Sequence, residues 1–174
     1  EADDLRAVVR ERASTDVEAL LGKVPAGLDL AAEGLDLRDE GAALAAFTAA
    51  LAPLRAAGVD WPILSLHWGP NMVRRPSEAF RRLAHGAIDM GWKILFGHSA
   101  HVFHGIEIRN GCPIIYAAGD LVDDYYVDPA FRNDLQLLFE LELGRDGLHR
   151  IVMYPVAIDA CRVAPADAAE TRYI

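Results

Sequence analysis

Residues 96–107, FGHSAHVFHGIE, place His98, His101 and His104 within seven positions. The chain has six histidines, so half of them stand at this one place. The run KILF at 93–96 leads into it, and a second apolar run, ILSL at 63–66, stops on His67. Imidazole nitrogens ligate borderline divalent cations such as zinc, manganese or iron, and they also move protons near neutral pH. A later stretch, GDLVDDYY at 119–126, adds the carboxylates of Asp120, Asp123 and Asp124. A single histidine behind a strand usually only holds a turn, and an acidic run is usually a solvated loop. Two histidines at aligned strand ends, the second opening an H-x-x-H loop, make a ligand set an equally good reading.

That reading depends on the elements that carry the rings. PILSL (62–66) has the length and composition of a short buried strand. Pro76-Ser77 then opens a helix whose Phe80, Leu83, Ala84, Ala87 and Ile88 form a core-facing stripe, and Gly91 closes it. WKILF (92–96) is the next strand. A strand, helix and strand in sequence predict two parallel strands joined by a right-handed crossover. Such strands end on the same edge of the sheet, where open α/β sheets gather ligands. His67, the first residue past one strand, and His98, two past the other, should therefore meet at one rim. A third strand, CPIIYAA (112–118), delivers Asp120 there. Gly97 and Gly119 read as tight turns at strand ends. His85 reads as a surface or packing residue, His104 as structural and His149 as part of a hairpin. Trp68 is equally a pocket wall or a packed aromatic.

The first part of the chain has a different character. Residues 1–58 are alanine-rich and read as helical, with a break expected near Ser14-Thr15 and irregular punctuation over 24–41. Leu44, Phe47, Leu51 and Leu54 share a helix face, Pro53 should end or kink that helix early, and Gly58 is its stop. At 174 residues, 52% hydrophobic and 25% charged, the chain reads as one globular unit. A formal charge of -9 with no basic stripe argues against nucleic acid and anionic lipid as partners. Cys112 and Cys161 have no ligand spacing and read as two ordinary thiols or one disulfide. No apolar run is long enough to span a membrane, and EADDLRAVVRER is not a signal peptide.

Several of these motifs occur together in one known family. SLHWGPN, LAHGAID, FGHSAHVFHGIEIRNGCPIIYAAGDLVDDY and the later FRNDLQLLFELEL and GLHRIVMYPVAI resemble the CapA family, in unbroken order over roughly residues 60 to 160. These are capsule or poly-γ-glutamate synthesis proteins with a calcineurin-like metallophosphatase fold. The resemblance implies an α/β fold, part of a β-sandwich with flanking helices. It implies a lead-in segment at 1–58 and the C-terminal half of the metallophosphatase domain at 59–174. His67 matches the histidine of the family's H-W-G motif, and His98 and His101 match the first and last of its G-H-x-x-H loop. All three are thereby implied as metal ligands and catalytic groups. Asp120 stands where many members have Asn. Asn71, Arg74 and Asp120 are the residues expected to engage an anionic substrate, small or polymeric.

The sequence departs from the family pattern in one respect. The strand ending in Gly-Asp and the Asn-Asn-His motif, which supply further ligands, are missing: no Gly-Asp precedes residue 119 and no Asn precedes Asn71. A pair of divalent ions (manganese, iron or zinc) needs bridging ligands that these histidines do not provide. The expected partner is therefore the N-terminal half of the same domain, pairing along an otherwise open sheet edge; homo-oligomerisation is open as well. The implied activity is that of a metal-dependent hydrolase or transferase acting on a phosphate ester or γ-glutamyl-type amide. The alternative is a non-catalytic accessory component of polymer synthesis with a vestigial metal site. Cytoplasmic and exported, membrane-associated locations are both compatible with the sequence.

Overall fold

The computed structural model describes residues 39–174; the break expected near Ser14-Thr15 and most of the irregular 24–41 stretch lie outside them. Helix α1 (Glu40–Ala56) starts where the Asp39 carboxylate accepts from Ala42 N, satisfying one of the free N–H groups of the first turn. It continues past Pro53, which neither ends nor breaks it. Proline removes one amide donor near the helix end, and Ala57 N still reaches Pro53 O at 3.0 Å. Gly58 closes the helix with φ +68, as its position suggested.

Strand β1 (Ile63–His67) alternates in burial: Leu64 and Leu66 face inward while Ile63, Ser65 and His67 are exposed. Helix α2 (Glu78–Asp89), capped by the Ser77 hydroxyl accepting from Phe80 N, buries the expected Leu83, Ala84, Ala87 and Ile88. Strand β2 (Ile94–His98) follows, then the hairpin of β3 (Ile106–Arg109) and β4 (Cys112–Ile115). Asn110 and Gly111, both with positive φ, form the two-residue turn such a hairpin requires. These strands make one sheet in the order β1-β2-β4-β3, with β1, β2 and β4 mutually parallel. A second, antiparallel sheet consists of β5 (Leu135–Gly144), β6 (Gly147–Asp159) and β7 (Arg162–Pro165), and the short helix α3 (Ala168–Tyr173) comes last. The fold is mixed α/β.

The division expected after residue 58 falls between α1 and β1, which share one core. Phe47 and Leu51 of α1 pack with Leu64, Leu83, Leu95 and Ile114, and the Trp92 indole donates to Phe47 O at 3.2 Å. Each such fully buried side chain contributes about 1.5–3 kcal/mol. Across α2 and the β3–β4 hairpin, Glu107 holds both His85 Nε2 and the Tyr116 hydroxyl at 2.8 Å, so His85 is a packing residue, as expected. Cys112 is buried, Cys161 exposed, and both are free thiols.

Candidate functional site

The β1–β2 pair sets the centre of the site. The strands run parallel in register, with His67 directly opposite His98. Both rings are the last residues of their strands and not residues beyond them. Their Nδ1 atoms stand 3.2 Å apart and the ring centroids 5.1 Å apart, at an interplanar angle of 68°. In a bare site one ring must donate its N–H to the other, because two facing lone pairs repel. Two nitrogens bound to one tetrahedral ion at 2.0–2.1 Å lie about 3.3 Å apart, so the pair fits two positions on a single divalent cation. Burial, followed by the neighbouring His67, lowers the His98 pKa, which favours the neutral form a metal ligand needs.

Gly97 brings the ring pair close to the rest of the sheet. It has no left-handed φ and does not make a turn; it lies inside β2. A Cβ there would meet Tyr116 O at 2.1 Å and Trp68 Nε1 at 2.4 Å. The buried Trp68 indole uses that space to donate to Tyr116 O at 2.8 Å.

His101 belongs to a second pair. Its Nδ1 is 2.8 Å from Asp120 Oδ2, and the Tyr125 ring packs edge-on at 5.0 Å. The carboxylate fixes hydrogen on Nδ1 and leaves Nε2 as the available nitrogen. The loop bends sharply to achieve this, with Ser99 at φ 107 and His101 at φ 58. Gln136, fully buried on β5, holds the loop in place by donating from Nε2 to His101 O (3.1 Å) and Asn133 O (2.7 Å). Gly119, at φ +76, leaves room for that amide, whose Oε1 would lie 1.8 Å from a Cβ at 119. Asp123 has Oδ1 accepting from Tyr125 N while Oδ2 is buried without a partner. Burial raises its pKa, the Tyr125 amide opposes the rise and Asp120 adds to it. Among the described residues, no three His, Cys, Asp or Glu side chains gather into a ligand set.

The other expected residues are placed as follows. Asn71 is exposed on the loop after β1. Arg74, on the same loop, clamps the C-terminal part of the chain: it donates to Ala130 O, Phe131 O and the Tyr173 hydroxyl, and its guanidinium lies 5.2 Å from the Phe131 ring centre. His104 is buried and gives Nε2 to Val73 O, consistent with a structural role. His149 lies in β6, in the β5–β6 hairpin as expected, and pairs with Asp146 of its turn. Gln136 was not anticipated, although an amide inside the apolar run LQLLF is the kind of anomaly that marks a buried polar anchor.

Known proteins carry the same arrangement of sequence. The profile of the bacterial capsule synthesis protein family PGA_cap matches residues 7–125. The chain belongs to this family. The PGA_cap match starts well before β1 and takes in α1, in keeping with the shared core. A probable polyglutamine synthesis accessory protein of Mycobacterium tuberculosis, matched in strains H37Rv and CDC 1551, is 33% identical over 120 residues, or 66% of this chain and 32% of that protein. The capsule biosynthesis protein CapA of Bacillus anthracis is 29% identical over 70 residues, 40% of this chain and 17% of that protein. The chain thus spans about a third of the length of its mycobacterial relatives.

Proposed function

We propose that this PGA_cap chain supplies the histidine rim of a metal-dependent hydrolase or transferase in capsule or poly-γ-glutamate synthesis, built on a calcineurin-like metallophosphatase fold. The 3.2 Å approach of His67 Nδ1 to His98 Nδ1 at two adjacent parallel strand ends carries this reading. The two rings would hold a manganese, iron or zinc ion. Such an ion, when bound, polarises a phosphoryl or acyl oxygen and lowers the pKa of water. His101, its Nδ1 held by Asp120, offers Nε2 as a further ligand or as the proton donor to a leaving group. Asn71 contributes an amide for an anionic substrate, a phosphate ester or γ-glutamyl-type amide, and Arg74 supports that loop through its clamp. The remaining ligands come from the other half of the domain, pairing along β1, which among the described residues has a strand neighbour on one side only.

A second reading, a non-catalytic accessory role, is supported by the name of the mycobacterial relatives, a probable polyglutamine synthesis accessory protein. Elemental analysis and manganese or zinc titration of the purified protein separate the two. The catalytic reading expects bound divalent metal, with affinity falling at least about tenfold in His67→Ala and in His98→Ala. Metal at background level in the unaltered protein would leave the accessory reading.

A further inference from the structure

A cavity of about 280 Å³ lies against the loop that follows β1, walled by Trp68, Val73, Pro76, Phe80 and Tyr116. Its lining is largely apolar, and the polar groups of several walls are already engaged. The Trp68 indole donates to Tyr116 O at 2.8 Å, and the Tyr116 hydroxyl donates to Glu107 at 2.8 Å. Helix α2 starts at the same wall, where the Ser77 hydroxyl accepts from Phe80 N. Arg75 differs from these. Its exposed side chain lines the cavity, and among the described residues it makes no ion pair or hydrogen bond. No carboxylate lines the cavity beside it, although the chain carries 26 acidic residues against 17 basic ones. An unpaired cation at the opening of an apolar recess is complementary to a molecule with an anionic head and an apolar body.

We infer that this cavity is a binding site for a small amphipathic anion, a carboxylate or phosphate whose apolar body fills the cavity and whose acid group pairs with Arg75. An engineered cavity of about 150 Å³ holds benzene, so about 280 Å³ has room for a chain of about eight carbons. The site uses neither His67 nor His98 and needs no metal, so its test is independent of the hydrolase reading.

Butanoate, hexanoate and octanoate are the probes, with 1-octanol as the uncharged match for the last. In isothermal titration of the intact chain, affinity should rise about tenfold with each added pair of methylenes. Octanoate should bind about threefold more tightly than 1-octanol at low salt, the worth of an exposed ion pair. Arg75→Gln, a change at an exposed position, should remove that preference and keep the rise with chain length. The three tryptophans report where the probe sits. In ¹⁵N-labelled protein octanoate should shift the indole N–H resonance of Trp68. Those of Trp61, bonded to Gly144 O, and Trp92, bonded to Phe47 O, should stay in place. Octanoate binding no tighter than butanoate, no preference over 1-octanol, or a preference that survives in Arg75→Gln would each overturn the inference. So would an unmoved Trp68 resonance at saturating octanoate, or no binding at millimolar concentration.

Discussion

Replacing Gly97 by alanine tests how the site is held together. The added methyl would lie 2.1 Å from Tyr116 O and 2.4 Å from Trp68 Nε1, far inside contact distance. Neither neighbour yields cheaply. Tyr116 O is backbone one residue past β4, and Trp68 is 5% exposed and hydrogen-bonded to that same oxygen. Relief requires β2 and β4 to separate or the indole to swing out and break its bond. Overpacking of this kind costs about 1–3 kcal/mol, and a buried indole N–H left unpaired adds about 1–3 kcal/mol. The combined expectation is about 2–6 kcal/mol, a large part of the 5–15 kcal/mol that typically stabilises a domain.

Urea unfolding, followed by tryptophan fluorescence and by far-UV circular dichroism, measures that cost directly. At about 2–4 °C per kcal/mol for a chain of this size, Gly97→Ala should also melt roughly 10 °C lower. Gly105→Ala is the matched control, since a Cβ there meets nothing within 4 Å and the residue has no left-handed φ; it should change stability by no more than about 0.5 kcal/mol. The loss in Gly97→Ala should come with a changed near-UV signal from Trp68. If Gly97→Ala unfolds within about 0.5 kcal/mol of the control, the strands have slack at this point and the argument that close β2–β4 approach fixes the rim is wrong.

The same reasoning applies on the other side of the site and to its pH dependence. Gly119→Ala combines a strained φ of +76 with a clash against Gln136 Oε1, and should cost about 2–4 kcal/mol while exposing the 99–101 loop to faster amide exchange; unchanged exchange at His101 would show that Gln136 does not hold it. His98 and His104 both have depressed pKa values in the folded protein. The unfolded chain therefore takes up protons first as pH falls below about 6.5. Their neutral forms are accommodated fully above that pH, and stability declines below it. Urea midpoints at pH 7.5 and 5.5 should show the drop, and His104→Gln should reduce it; an identical drop in that variant would remove His104 as a cause.

What the sequence could reveal depended on how local the signal was. The βαβ unit was legible because α2 carries its stripe from Phe80 to Ile88 between two apolar runs, and a parallel pairing then brings His67 and His98 together. Strand ends were less legible, since backbone pairing carries β1 through His67 and β2 through His98, beyond their apolar residues. Pro53 was misjudged because proline's penalty is small when it costs one bond in a final turn and Phe47 and Leu51 anchor the helix by tertiary packing. Gly97 illustrates the deeper limit of pattern reading. From neighbours in sequence, a glycine at a strand end reads as a turn. Its actual cause, the indole of Trp68 reaching Tyr116 O across the position a Cβ would fill, joins residues 29 and 19 positions away. His101, implied as a ligand by the family's G-H-x-x-H motif, shows the same limit: the loop's left-handed residues set its Nδ1 on the Asp120 carboxylate, a contact across 19 positions that the local sequence does not announce. That carboxylate orients the ring and leaves Nε2 as its other nitrogen. On the proposed reading, catalysis by this rim requires a segment that brings ligands to His67 and His98 without displacing Asp120 from His101.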